Sequence, residues 1–141
     1  MKSIMFGIIF LTLISCNSKM SQIESPLATV IKLISAESLA NFDEAKIYID
    51  VEKVYANNID TLSAEQAWKN EVLLLYNIGK DKKFTNIFKY YNYTIKEEQK
   101  GENAEVIFES IHTEESISKI IYSLIRKTKK WVIVRIEYKK K

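Results

Sequence analysis

Ala104-Glu105-Val106-Ile107-Phe108-Glu109-Ser110-Ile111-His112 is the stretch that decides the fold. Val106 and Phe108 alternate with Glu105 and Glu109, the period of a half-buried strand. Outward from it, Thr113-Glu114-Glu115-Ser116 is a turn, and Ile117 to Lys127 is a further strand carrying Ile120, Tyr122 and Leu124. Thr128-Lys129-Lys130 turns the chain again. Trp131 to Lys139 then places Val132, Val134, Ile136 and Tyr138 on one face. Upstream, Lys100-Gly101-Glu102-Asn103 is a turn, and Phe84 to Glu98 is a first strand with Tyr91, Tyr93 and Ile95 on alternate positions. Four strands on short turns make an antiparallel meander, with one face for a core and one for water.

Before the meander the period changes to that of helices. Ser25-Pro26 starts the first, serine as N-cap and proline at the first helical position. Leu27, Val30, Ile31, Ile34 and Phe42 recur every three to four residues, with Leu33 and Leu39 widening the stripe, so a helix is expected over 26–41. Asp43 is placed to cap a short helix over 44–49, and 51–59 reads as a turn or a single helical turn. Ser63-Ala64-Glu65-Gln66 fits a capping box. Behind it Trp68, Val72, Leu75 and Tyr76 line one face, Glu65 and Lys69 pair one turn apart, and Gly79 stands where a left-handed C-cap belongs. Helices followed by a strand meander predict an α+β domain, N-terminal helices packed on a four-stranded antiparallel sheet.

The chain has 141 residues, 47% hydrophobic and 28% charged, with a net charge of +3. That is a globular composition with too little excess charge to indicate nucleic acid. Its single cysteine, Cys16, excludes a disulfide within the chain and a cysteine-based metal cluster. Met1-Lys2-Ser3 followed by the apolar run from Ile4 to Ile14 has the form of a secretory leader, too short to span a membrane. Leu13-Ile14-Ser15-Cys16 resembles the lipobox of bacterial lipoproteins. The resemblance implies that Cys16 receives a diacylglycerol, that cleavage occurs before it, and that the new amine is acylated. The expected organisation is a signal peptide over 1–15, a lipidated tether over 16–24 and one domain over 25–141. Asn17 resembles the residue found after the cysteine in proteins sent to the outer membrane, which implies a periplasm-facing anchor there.

The helix ending in Asn41-Phe42-Asp43-Glu44-Ala45, the capped helix and the final strand Lys130-Trp131-Val132-Ile133-Val134 resemble the cone-shaped fold of nuclear transport factor 2. That fold occurs also in small bacterial lipoproteins of unknown function. The cystatin-like arrangement is the nearest competitor, and the extra helices argue against it. The resemblance implies a curved sheet and helices enclosing a pocket, with an inward acid or histidine in enzymatic members.

Few residues offer chemistry of their own. His112 is the only histidine and ends a strand beside acid, so no two-histidine metal site exists. Asp43 and Asp50 sit at helix ends, where capping explains them. No nucleophile elbow, phosphate loop or calcium loop is present, and no cofactor is expected. Tyr90, Tyr91 and Tyr93 cluster on one strand. Trp68, Tyr76, Tyr91, Tyr93 and Tyr122 are the candidate pocket residues, each with packing as the simpler role. Acid loads the first hairpin and base the second, which suits cross-strand pairing on the wet face.

The sequence therefore predicts an envelope protein held by a lipid at Cys16, with a non-catalytic domain for a small ligand or a protein partner. One alternative is a small isomerase, cyclase or hydrolase with a closed pocket and at least two ionisable side chains. Another is an immunity or assembly factor that binds a protein through Lys127, Lys129 and Lys130.

Overall fold

The computed structural model describes residues 24–57, 61–80, 93–111 and 117–141, the side chains of 78–80 excepted. Among the described residues the order is four helices, α1 (Pro26–Ser38), α2 (Phe42–Ala45), α3 (Val51–Val54) and α4 (Ala64–Lys80), then four strands, β1 (Tyr93–Lys100), β2 (Asn103–Ser110), β3 (Ile117–Lys127) and β4 (Lys130–Lys140). The strands form one antiparallel sheet in the order β1-β2-β3-β4, the expected meander. The domain is α+β, with its helices on one face of that sheet.

Local chemistry accounts for the helix ends. Ser25 Oγ accepts from the Ala28 amide at 3.1 Å, and Pro26 opens α1. Ser63 and Gln66 form the reciprocal capping box, at 3.2 and 3.3 Å. Asn41, rather than Asp43, caps α2, its Oδ1 accepting from the Glu44 amide. Asp50 precedes α3 but makes no side-chain cap there; it pairs with Lys127 at 3.1 Å instead.

Two helices end differently from their sequence pattern. α4 runs through Gly79 to Lys80, so that glycine is no C-cap, and Leu75 is exposed. α1 stops at Ser38, one turn early, which leaves Leu39 70% exposed instead of widening the apolar stripe. The stop is a Schellman motif: the Asn41 amide bonds the Ala36 carbonyl at 2.9 Å and the Ala40 amide bonds the Glu37 carbonyl at 2.9 Å. Ala40 sits at φ 51°, a left-handed conformation in which its Cβ is crowded. Ala40→Gly is expected to stabilise the domain by about 1 kcal/mol, the relief of that strain less the entropy of glycine. A thermal melt then shifts up by about 4 °C; a downward shift would contradict this account.

The core lies between the helices and one sheet face. Val30 and Leu33 of α1, Trp68 and Val72 of α4, and Val106, Phe108, Ile120, Tyr122, Leu124, Trp131 and Ile133 of the sheet are all buried. The β4 pattern needs correction. Leu124 pairs with Ile133, but the preceding Ser123 pairs with Arg135, so Val134 is an extra residue in a bulge. The bulge reverses the parity of the strand. Trp131, Ile133, Ile136 and Tyr138 share the core face, whereas Val132 lies opposite Ile125 on the other side. Tyr48 and Asp50 clamp the edge of β4 through backbone bonds to Ile133, at 2.8 Å each. That clamp sets the segment bearing α3 beside the sheet.

Candidate functional site

α1 buries Val30 and Leu33, and Glu37, two turns after Val30, is half-buried at the edge of that side. Glu37 therefore points where a hydrophobic residue belongs. On α4, Trp68 and Glu71 are three residues apart and lie on one side of that helix. The fully buried indole of Trp68 donates from Nε1 to Glu37 Oε1 at 2.7 Å. Phe42 packs edge-on against the same indole, with ring centroids 5.3 Å apart. Tyr55, just past α3, donates to the Glu71 carboxylate, and Tyr138 near the end of β4 completes the group. Four elements thus bring two acids, two phenols and one indole to the same place.

Electrostatics follow from that grouping. Burial pushes the Glu37 carboxyl up to about 7; the Trp68 hydrogen bond pulls against this, and the nearby Glu71 charge adds to it. Glu37 consequently exchanges its proton near neutrality. Burial also raises the Tyr55 and Tyr138 phenols, with Glu71 and Glu37 reinforcing it, so both stay protonated hydrogen-bond donors. Tyr138 is 50% exposed, which gives the group one side open to solvent. The arrangement holds a neutral-pH proton donor or acceptor beside a second acid and two hydroxyls.

The residues singled out from the sequence end up in different places. Trp68 belongs to this group. Tyr122 is buried in the core and stacks edge-on with Phe108 at 5.7 Å. Tyr93 meets the other side of Phe108 at 6.4 Å, and Tyr76 is half-buried on α4. Tyr91, like Tyr90, His112 and the lipobox with Cys16, lies outside the described residues. Lys127 is engaged with Asp50. Sequence reasoning passed over Glu37, Glu71, Tyr55 and Tyr138. A signal did exist: Glu37 stands four residues after Leu33 and seven after Val30, an acid at an inward position of an apolar stripe.

Among the described residues, no group of three or more histidine, cysteine or acidic side chains is placed to hold a metal ion. No helix among them is long and apolar enough to cross a membrane. No family model and no curated protein matches the chain. Among solved structures it is similar to an NTF2-like protein of unknown function from Cytophaga hutchinsonii, at 14% identity over 82% of this chain and 88% of that chain. The TM-score is 0.44, a loose likeness.

Proposed function

We propose that this chain is a lipid-anchored protein of the bacterial envelope whose domain, of the nuclear transport factor 2-like type, binds a small polar ligand beside Glu37. One observation carries the binding reading: a half-buried acid pair grouped with two phenol donors and open to solvent at Tyr138, Glu37 fastened to the buried indole of Trp68 at 2.7 Å. A structural core gains nothing from an acid there, since a hydrophobic residue at that position would avoid the desolvation cost. The support for the anchor is the lipobox Leu13-Ile14-Ser15-Cys16 and the apolar run before it. In this reading the partners are the membrane, through the acyl chains, and the ligand or an envelope protein.

Both halves have direct tests. Cells fed a labelled fatty acid incorporate it into the wild type and not into Cys16→Ser; equal incorporation removes the anchor from the proposal. Native mass spectrometry of the protein purified from its envelope is expected to show a small co-purifying mass, reduced at least tenfold in Glu37→Gln. A mass absent from both proteins refutes a ligand site at Glu37, and a mass retained in full by the variant refutes a binding role for the Glu37 carboxylate.

A second reading is catalytic, because a carboxyl near 7 is suited to general acid–base work at neutral pH. It places the chain among small isomerases, cyclases or hydrolases. In that case Glu37→Gln retains the ligand and loses turnover, the reverse of the binding result.

A further inference from the structure

The N-terminal segment joins the described domain at a fixed point. Glu24 pairs with Lys32 of α1, and the Leu27 amide donates to Glu97 Oε2 of β1 at 2.8 Å. Glu24, Ser25 and Glu97 share a cleft of about 220 Å³ with Arg126 and Trp131, the residues that flank the β3–β4 turn. Lys127 pairs with Lys130 across that turn, which leaves Thr128, at φ 60°, and Lys129 at its tip. The β1–β2 turn lies at the same end, because the Arg126 amide donates to the Glu102 carbonyl at 2.7 Å. The chain therefore enters the domain beside two turns of the sheet.

Those turns are basic. Residues 99–103 and 126–131 hold Lys100, Arg126, Lys127, Lys129 and Lys130 against one acid, Glu102. Adding Glu97 and Glu98 of β1 still leaves five bases against three acids. Lys127 answers Asp50, and Arg126 lies over the Trp131 ring, 5.7 Å from its centroid. Lys100, Lys129 and Lys130 are exposed and make no ion pair among the described residues. We propose that this end of the sheet rests on anionic phospholipid headgroups, with Lys129 and Lys130 as its contact points. The inference rests on the lipid anchor at Cys16 and adds to it the end of the domain that meets the bilayer.

Length decides between the two basic ends of the sheet. Lys139 and Lys140 lie at the far end of β4, opposite Lys119 and Ile117 at the start of β3. From Lys130 to Lys140 is ten residues, roughly 33 Å at about 3.3 Å each. From Cys16 to Glu24 is eight residues, at most about 28 Å when fully extended. A domain standing on Lys139 and Lys140 would need more tether than that, whereas the Lys129 end reaches the surface with slack to spare. Beside an anionic leaflet each free lysine favours contact about fivefold, and Lys100, Lys129 and Lys130 together about a hundredfold. The field fades within about 8 Å at physiological salt, so it acts on the turns and leaves the rest of the sheet untouched. An acidic protein would suit the same lysines, but the anchor keeps the headgroups within reach of every copy.

The test adds the lipidated full chain to preformed vesicles and recovers it by flotation. A membrane-impermeant amine reagent, read residue by residue by mass spectrometry, then reports which lysines the surface covers. On phosphatidylethanolamine mixed with phosphatidylglycerol, Lys100, Lys129 and Lys130 should label about tenfold more slowly than on phosphatidylcholine alone. Lys139 and Lys140 should label at the same rate on both. Lys129→Glu/Lys130→Glu should float as the wild type does and lose the protection of Lys100, and high salt should remove the protection from the wild type. A chain that floats with neither vesicle removes the anchor, and this contact with it. A chain that floats with both but labels equally at Lys129 and Lys130 keeps the anchor and overturns the contact. Protection of those two lysines in intact envelopes but on neither vesicle would give the turns to a protein partner, and overturns it too.

Discussion

At pH 8, Glu37→Gln is expected to be more stable than the wild type by about 2–3 kcal/mol, and at pH 4 the two should be nearly equal. The sign follows from proton linkage. The Glu37 carboxyl titrates near 7 in the folded domain, against an ordinary 4.5 once the chain unfolds. Between those values the folded state binds more protons than the unfolded state, so stability falls as pH rises through the window. A gap of about 2.5 units at 1.36 kcal/mol each sets an upper limit near 3 kcal/mol. Glutamine keeps a carbonyl oxygen for the Trp68 indole and carries no charge beside Glu71, so this loss disappears. Urea unfolding at both pH values measures it. An offset of the same size at pH 4 and pH 8 would show that Glu37 does not titrate in an enclosed site.

The architecture was more legible in the sequence than the site, and the reason is physical. Burial alternates along β2 and β3 because one face meets the helices: Val106, Phe108, Ile120, Tyr122 and Leu124 all point into the core. The caps at Ser25 and Ser63 were equally readable, since each satisfies backbone donors within four residues. β4 was misread because both of its faces carry apolar residues. Val132, Val134, Ile136 and Tyr138 alternate as well as the true inward set does, and only the pairing with β3 reveals that Val134 is an inserted residue. The end of α1 was missed because Ala40 in a left-handed C′ position lacks the glycine that marks such stops.

The site was hidden for a different reason. Glu37, Glu71, Tyr55 and Tyr138 come from four elements spread over about a hundred residues, and no local spacing joins them. The tyrosines that did draw attention, Tyr93 and Tyr122, flank Phe108 as a packed aromatic ladder. An aromatic cluster within one strand reports packing on one face of the sheet. By contrast, an acid on an apolar helical stripe reports a cost that something else must offset.

Trp68 separates the packing of this region from its electrostatics. Trp68→Ala removes a fully buried indole that touches Phe42 and anchors Glu37, and is expected to cost about 3–5 kcal/mol. That is a large share of the roughly 5–15 kcal/mol by which such a domain is stable. Trp68→Phe is the sharper variant. It keeps an aromatic ring against Phe42 and removes the Nε1 donor, so most of the packing survives. The indole hydrogen bond is the influence that lowers the Glu37 carboxyl against the pull of burial. Without it the folded-state titration moves above 7, and the pH-dependent loss of stability extends upward to match. Comparing urea midpoints of Trp68→Phe and the wild type at pH 5, 7 and 9 tests this. The deficit of the variant should be smallest at pH 5, where Glu37 is protonated in both, and should widen towards pH 9. A deficit constant across the range would mean that Trp68 acts by volume alone, and the hydrogen bond to Glu37 would then have no role in setting its proton affinity.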